Sequence, residues 1–171
     1  VDSDALDLPS ESPCFHIERL PLDGQRLDAL AWLESYLSSY AGRCIGPQGI
    51  NLVSKRASAL IVARGYITTR LAIPEQDLAS GTLRFVLVPG VIRAIRIAGD
   101  DPEQNWRSAF PVRPGDLLNL RDIEQGLEQM KRLPSREVSI DIAPGEAAGE
   151  SDIVISVKRG KPWRLGLSLD N

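Results

Sequence analysis

The chain has 171 residues, 43% hydrophobic and 25% charged, an ordinary globular make-up with room for one medium domain or two small ones. No stretch approaches the ~20 apolar residues that a helix needs to cross a membrane. The net charge of −3 is uneven: Asp2, Asp4, Asp7 and Glu11 put −4 into residues 1–13, so the rest is nearly neutral and lacks the basic stripe that nucleic-acid backbones favour.

Residues 1–13 are polar, acidic and broken by proline, and read as a linker without fixed structure. Val1 and the absence of a leader pattern suggest a mature or excised fragment. Cys14 to Leu20 alternates as a short strand ended by Pro21 and Gly24. Leu27 to Tyr40 carries apolar residues at helical spacing, and Gly42 ends it. Gly46-Pro47-Gln48-Gly49 reads as a turn, followed by a helix from about residue 49 to residue 64. Gly65 stands where a helix needs a left-handed C-terminal residue. Tyr66 to Ile73 is rich in β-branched and aromatic residues and stops at Pro74. Thr82 to Val88 alternates, with Leu83, Phe85 and Leu87 on one face.

A second unit repeats this order. Residues 91–98 form a β-branched strand, and a short helix is expected around Pro102 to Ala109. Asn119 is placed to cap a helix over 120–132, with Ile123, Leu127 and Met130 inward. Strands follow at 137–142 and 153–157. The fold class is therefore α+β. Two tandem units, 14–90 and 91–159, each run β-α-α-β-β, with a three-stranded mixed sheet covered by two helices. The first and last strands of a unit should lie side by side, leaving the fourth element at an edge. Trp163, Leu165, Leu167 and Leu169 alternate with polar residues, as in a barrel strand.

The residues of an enzyme are missing. His16 is the one histidine and reads as a half-exposed strand residue. No spacing for metal ligands or for a phosphate-binding glycine loop is present, so neither a cofactor nor a small-molecule substrate is expected. The GPQG turn sits where KH modules clamp a nucleic-acid backbone, but Pro and Gln occupy its middle and the second unit has no equivalent. Cys14 and Cys44 allow two buried free thiols or one disulfide. The disulfide is favoured, would close a loop worth roughly 3–4 kcal/mol, and implies an oxidising compartment.

CFHIERLPLDG, Cys44-Ile45-Gly46 and the run ARGYITTRLAIPEQDLASGTLRFVLVPGVIRAIRI resemble the first POTRA domain of two-partner secretion transporters (TpsB, the haemolysin-activator type). NLRDIEQGLEQMKRLPS resembles the helix and turn of their second POTRA domain, and RGKPWRLGLSLDN the passage into their barrel. The resemblance implies a periplasmic pair at the outer membrane, preceding a C-terminal β-barrel of the same parent chain. The pair would receive the unfolded secretion domain of a partner exoprotein (a TpsA haemolysin, adhesin or contact-dependent toxin). A monomeric fragment without nucleic-acid partners is expected. A POTRA scaffold of an outer-membrane assembly protein would share the fold.

Strand addition at a sheet edge demands little of a client's sequence. The candidate edges are Arg136, Glu137, Val138, Ser139, Ile140, Asp141 and Ile142, the preferred one, and the stretch holding Tyr66, Thr68 and Arg70. Arg121, Glu124 and Gln125 carry much of the resemblance and are candidates for an interface.

Overall fold

A computed structural model describes residues 6–99, 110–131 and 136–159. The chain divides between Gly90 and Val91 into two compact units. The expected helix at 102–109, the turn after residue 131 and the barrel-like pattern at 160–171 lie outside the described residues.

In the first unit, β1 (Phe15–Ile17) pairs antiparallel with β3 (Arg43–Ile45) in a two-stranded sheet. The chain then changes sheets. Arg19 bridges Thr82, and β2 (Leu22–Gly24) runs parallel to β5 (Phe85–Val88) in the same register. Sequence pattern ends the first strand at Pro21, but the ladder passes through it. Proline lacks only the donor, and the Pro21 carbonyl still accepts from the Phe85 amide at 3.0 Å. A 3₁₀ turn (Leu27–Leu30) leads into α1 (Ala31–Ser38), so the single helix expected to residue 40 is shorter and begins tighter.

Helix α2 spans Pro47–Ala63. The expected GPQG turn is its start: Gly46 is the N-cap, and Pro47 takes a first-turn position, where a missing amide costs nothing. At the other end Gly65 has φ +100°, Tyr66 N–H donates to Ile61 O at 3.2 Å, and Gly65 N–H donates to Val62 O at 2.9 Å. This Schellman closure extends the turn. β4 therefore covers only Arg70–Ala72, and Tyr66 and Thr68 lie before it rather than in a strand. Thr69 is buried beside this turn, and its hydroxyl accepts from the Gly90 amide at 3.0 Å.

The sheet order is β2-β5-β4, with β4 antiparallel to β5. Leu83, Phe85 and Leu87 are buried on one face, together with Leu33 and Leu37 of α1 and Val53, Ala57 and Ile61 of α2. Full burial of each such side chain contributes roughly 1.5–3 kcal/mol.

The second unit holds β6 (Val91–Gly99), α3 (Leu120–Lys131), β7 (Arg136–Pro144) and β8 (Glu150–Arg159). Its sheet order is β6-β8-β7, with β6 parallel and β7 antiparallel to β8. The Asn119 side chain accepts from the Arg121 amide at 2.9 Å, as expected of a cap. Ile123 and Met130 are buried, and α3 packs on β7. Gly126 sits in this helix at some cost in propensity. A Cβ there would lie 2.6 Å from Phe110 Cε1, so glycine is what lets that ring approach.

Candidate functional site

The two sheets share one topology, but they leave different backbone groups unpaired. Val91 N–H donates to Gly149 O at 2.7 Å across the parallel pair. Odd-numbered residues of β8 therefore bond β6, and even-numbered residues bond β7. Gly145 N–H donating to Glu150 O at 2.7 Å fits the same parity. Opposite Lys158, Ser156, Val154 and Asp152 stand Glu137, Ser139, Asp141 and Ala143, whose N–H and C=O face inward along the ladder. The backbone groups of Arg136, Val138, Ile140 and Ile142 face away from β8. Pro144 takes the next outward position, where an edge strand tolerates a missing donor. Among the described residues no strand pairs with this side of β7.

The side chains alternate as expected. Glu137, Ser139 and Asp141 are exposed, and Val138 is buried. The alternation over Arg136 to Ile142 does not by itself distinguish donors that face the edge from those that face β8. That distinction comes from pairing alone.

The opposite edge of this sheet is partly covered. Ile92 N–H donates to Asp116 O at 2.9 Å, and Gly115 N–H donates to Ile92 O at 2.7 Å.

In the first unit the amides of Leu83 and Phe85 donate to Arg19 and Pro21 carbonyls, so odd residues of β5 bond the β2 side. Arg70 and Ala72 then face β5, and Leu71 alone within β4 turns its backbone outward. Pro74 stops the ladder, and the Gln76 side chain replaces the next pair. Its Nε2 donates to Arg84 O at 2.9 Å and its Oε1 accepts from Arg84 N–H at 2.7 Å. On the other side, Leu22 N–H reaches Glu34 Oε2 at 3.4 Å. Of the first-unit candidates, Tyr66 and Thr68 are outside the strand and the Arg70 backbone points inward. The candidate edge of unit 1, β4, thus offers one outward residue, and that of unit 2, β7, offers four.

Arg121, Glu124 and Gln125 are all exposed on α3, opposite Ile123 and Met130. Cys14 and Cys44 form a disulfide with Cα atoms 5.4 Å apart. It clasps the β1–β3 ladder, so Cys44 lies in a strand that the pattern around it does not announce.

Two charged clusters were not legible as sites in the sequence. The first overturns the expectation of an unstructured linker over residues 6–11; residues 1–5 lie outside the described residues. Glu11 accepts from the Gln48 amide at 3.1 Å and the Gly49 amide at 2.8 Å, capping α2. The anion at the GPQG turn is thus a carboxylate of this chain. Arg56 is buried in α2 and donates to Asp7 O at 2.9 Å and to Tyr40 Oη at 3.2 Å. Arg43 Nη1 donates to Leu6 O. Burial and the Tyr40 hydroxyl, 2.7 Å away, hold the Tyr36 phenol above its ordinary pKa. One signal was available. Arg56 lies on the same helical stripe as Val53, Ala57 and Leu60, where an apolar residue is expected.

The second cluster is in unit 2. Asp152 is buried on β8 and receives Arg93 Nε at 2.9 Å and Nη2 at 2.6 Å, with Arg96 Nη2 at 3.3 Å. Arg93 is the extra residue of a bulge in β6, between Ile92 and Ala94. The Arg93 hydrogen bonds hold the Asp152 carboxyl below its usual range, against the opposing effect of burial. Among the described residues no three His, Cys, Asp or Glu side chains are placed to hold a metal, and no helix is long and apolar enough to cross a membrane.

Residues 15–90 match the family described as POTRA domain, ShlB-type, and residues 91–144 match POTRA domain. The chain is 51% identical to outer membrane transporter CdiB-2 of Burkholderia pseudomallei, over 96% of this chain and 31% of that protein. It is 35% identical to hemolysin transporter protein ShlB of Serratia marcescens, over 96% of this chain and 29% of that one. The chain thus spans about a third of the length of these relatives, which are named as transporters. The solved structure of CdiB from Escherichia coli superposes with TM-score 0.75 at 34% identity, over 86% of this chain and 28% of that one. With two POTRA matches in tandem that together span most of the chain, and with this fold, the chain belongs to the POTRA family, as a ShlB-type POTRA domain followed by a second POTRA domain.

Proposed function

We propose that the pair is the recognition module of an outer-membrane protein-secretion transporter, working on the periplasmic face of that membrane. It receives an unfolded segment of a secreted partner protein and passes it to the barrel of the same parent chain. The relatives' names as outer membrane and hemolysin transporters support the setting. The observation that carries the mechanism is the outward backbone of Arg136, Val138, Ile140 and Ile142 along a nine-residue strand.

An unfolded client has unpaired N–H and C=O groups of its own. Added as a strand beside β7, it satisfies both sets. Each main-chain hydrogen bond is worth about 1 kcal/mol net, so four outward residues give up to ~8 kcal/mol. Association costs at least ~4 kcal/mol, which leaves an affinity near the millimolar range. Weak binding suits a segment that must be passed on.

The test is NMR titration of the labelled chain with the amino-terminal secretion region of the exoprotein encoded beside it, kept unfolded. Ile142→Ala and Ile142→Pro both remove the side chain, but only proline removes the outward N–H. The alanine variant should bind within about threefold of the parent and the proline variant at least tenfold more weakly. Equal affinities would sink strand addition at this edge. Ser139→Pro is no substitute, because that amide faces Ser156 in the ladder.

A further inference from the structure

We infer that unit 1 carries an acidic-peptide site, separate from the sheet edges, which the chain fills in cis with residues 6–11. Residues 6–11 have no helix or strand of their own, yet they are held at three points. Arg43 donates to Leu6 O, Arg56 to Asp7 O, and the first turn of α2 to the Glu11 carboxylate. The acceptors are backbone carbonyls and one carboxylate, the groups that any extended acidic segment presents. Asp7 itself adds little: its side chain is 88% exposed, and its oxygen is 3.5 Å from Arg56 Nη2.

The receiving groups are built for a ligand rather than for the core. A guanidinium on the apolar stripe of α2 is costly unless its donors are met. Tyr40 meets one contact, and the docked segment supplies the others. Leu8 to Glu11 line a cleft of about 330 Å³ together with Cys14, Arg43 and Cys44, so the segment is held without being packed throughout. The Cys14–Cys44 bridge tethers it two residues from the Gly46 cap. Such a tether gives a local concentration on the order of millimolar, which excludes weak competitors while the segment is docked.

The probe is a synthetic peptide with the sequence of residues 6–13, titrated into the full chain and read from the Gln48 and Gly49 amides. In the wild type these resonances should not move at peptide concentrations well below the roughly millimolar concentration of the tethered segment, because Glu11 already occupies them. In Glu11→Ala they should shift saturably, and a peptide carrying Gln at the glutamate position should bind about tenfold more weakly or worse. A Cβ on Gly46 would fall 2.5 Å from the Glu11 Oε1 position, so the Glu11→Ala, Gly46→Ala double variant should not bind. Unchanged β5 and β8 amides verify the fold of each variant. No shift in Glu11→Ala at ~10 mM peptide, or equal binding of the Gln peptide, overturns the proposal.

Discussion

Removing the disulfide by Cys14→Ser with Cys44→Ser isolates one physical effect. The bridge closes a separation of 30 residues. In the chain-entropy treatment that loop removes about 12 cal/mol/K from the unfolded ensemble, or about 3.6 kcal/mol at 25 °C. The native contacts survive: β1 still faces β3, and the core of α1, α2 and β5 is untouched. The loss should therefore fall on the global opening of unit 1 and leave unit 2 alone. Native-state hydrogen exchange reads both units in one sample. The slowest amides of unit 1, such as those of Ile61 and Leu83, should exchange roughly 400-fold faster, at 1.36 kcal/mol per decade. Those of Ile153 and Ile155 should not change. A change under tenfold in unit 1 would mean that the reduced unfolded chain is already constrained, and the loop-entropy reasoning would fail. An equal change in unit 2 would refute the independence of the two cores.

Three further outcomes follow from particular contacts. Gly126→Ala should destabilise unit 2 by about 1–3 kcal/mol through collision with Phe110, despite alanine's better helix propensity, and Phe110→Leu should recover part of the loss in chemical denaturation. Thr69→Val leaves the buried Gly90 amide without its acceptor and should cost unit 1 about 1–3 kcal/mol by urea unfolding. The Asp152 carboxyl is held below its unfolded value of about 3.9, so its contribution is complete above that pH and is lost as pH falls through the depressed folded value. The stability difference between wild type and Asp152→Asn should therefore be flat from neutral pH to about pH 5 and shrink below about pH 4. A difference that grows on acidification would contradict the Arg93 pairing.

The candidate site was half legible. That β7 lies at an edge followed from the strand–helix–helix–strand–strand order, because the first and last strands of each unit pair in parallel. Which of its amides point outward did not follow, since the alternation of Val138, Ile140 and Ile142 marks the buried face but not the side of β7 on which its partner strand lies. Tyr66 to Ile73 misled because its β-branched content is real, while the closure at Gly65 consumes its first residues in a turn.

The sequence by itself determined α2, α3, the buried faces of β5, β7 and β8 and the division near residue 90, because 3.6- and 2-residue periods record which side of each element is buried. It determined the Gly65 terminus and the Asn119 cap for the same reason: both depend on the local backbone. Only the tertiary structure decided what happens between distant residues. Pro21 looks like a stop, yet it continues a ladder because β5 supplies a donor to its carbonyl. Glu11 looks like linker charge, yet it caps a helix that begins 36 residues later. Asp152 looks like a surface carboxylate, yet it is buried because a bulge aims Arg93 at it. These partners meet through chain-chain pairing, and no local period encodes it.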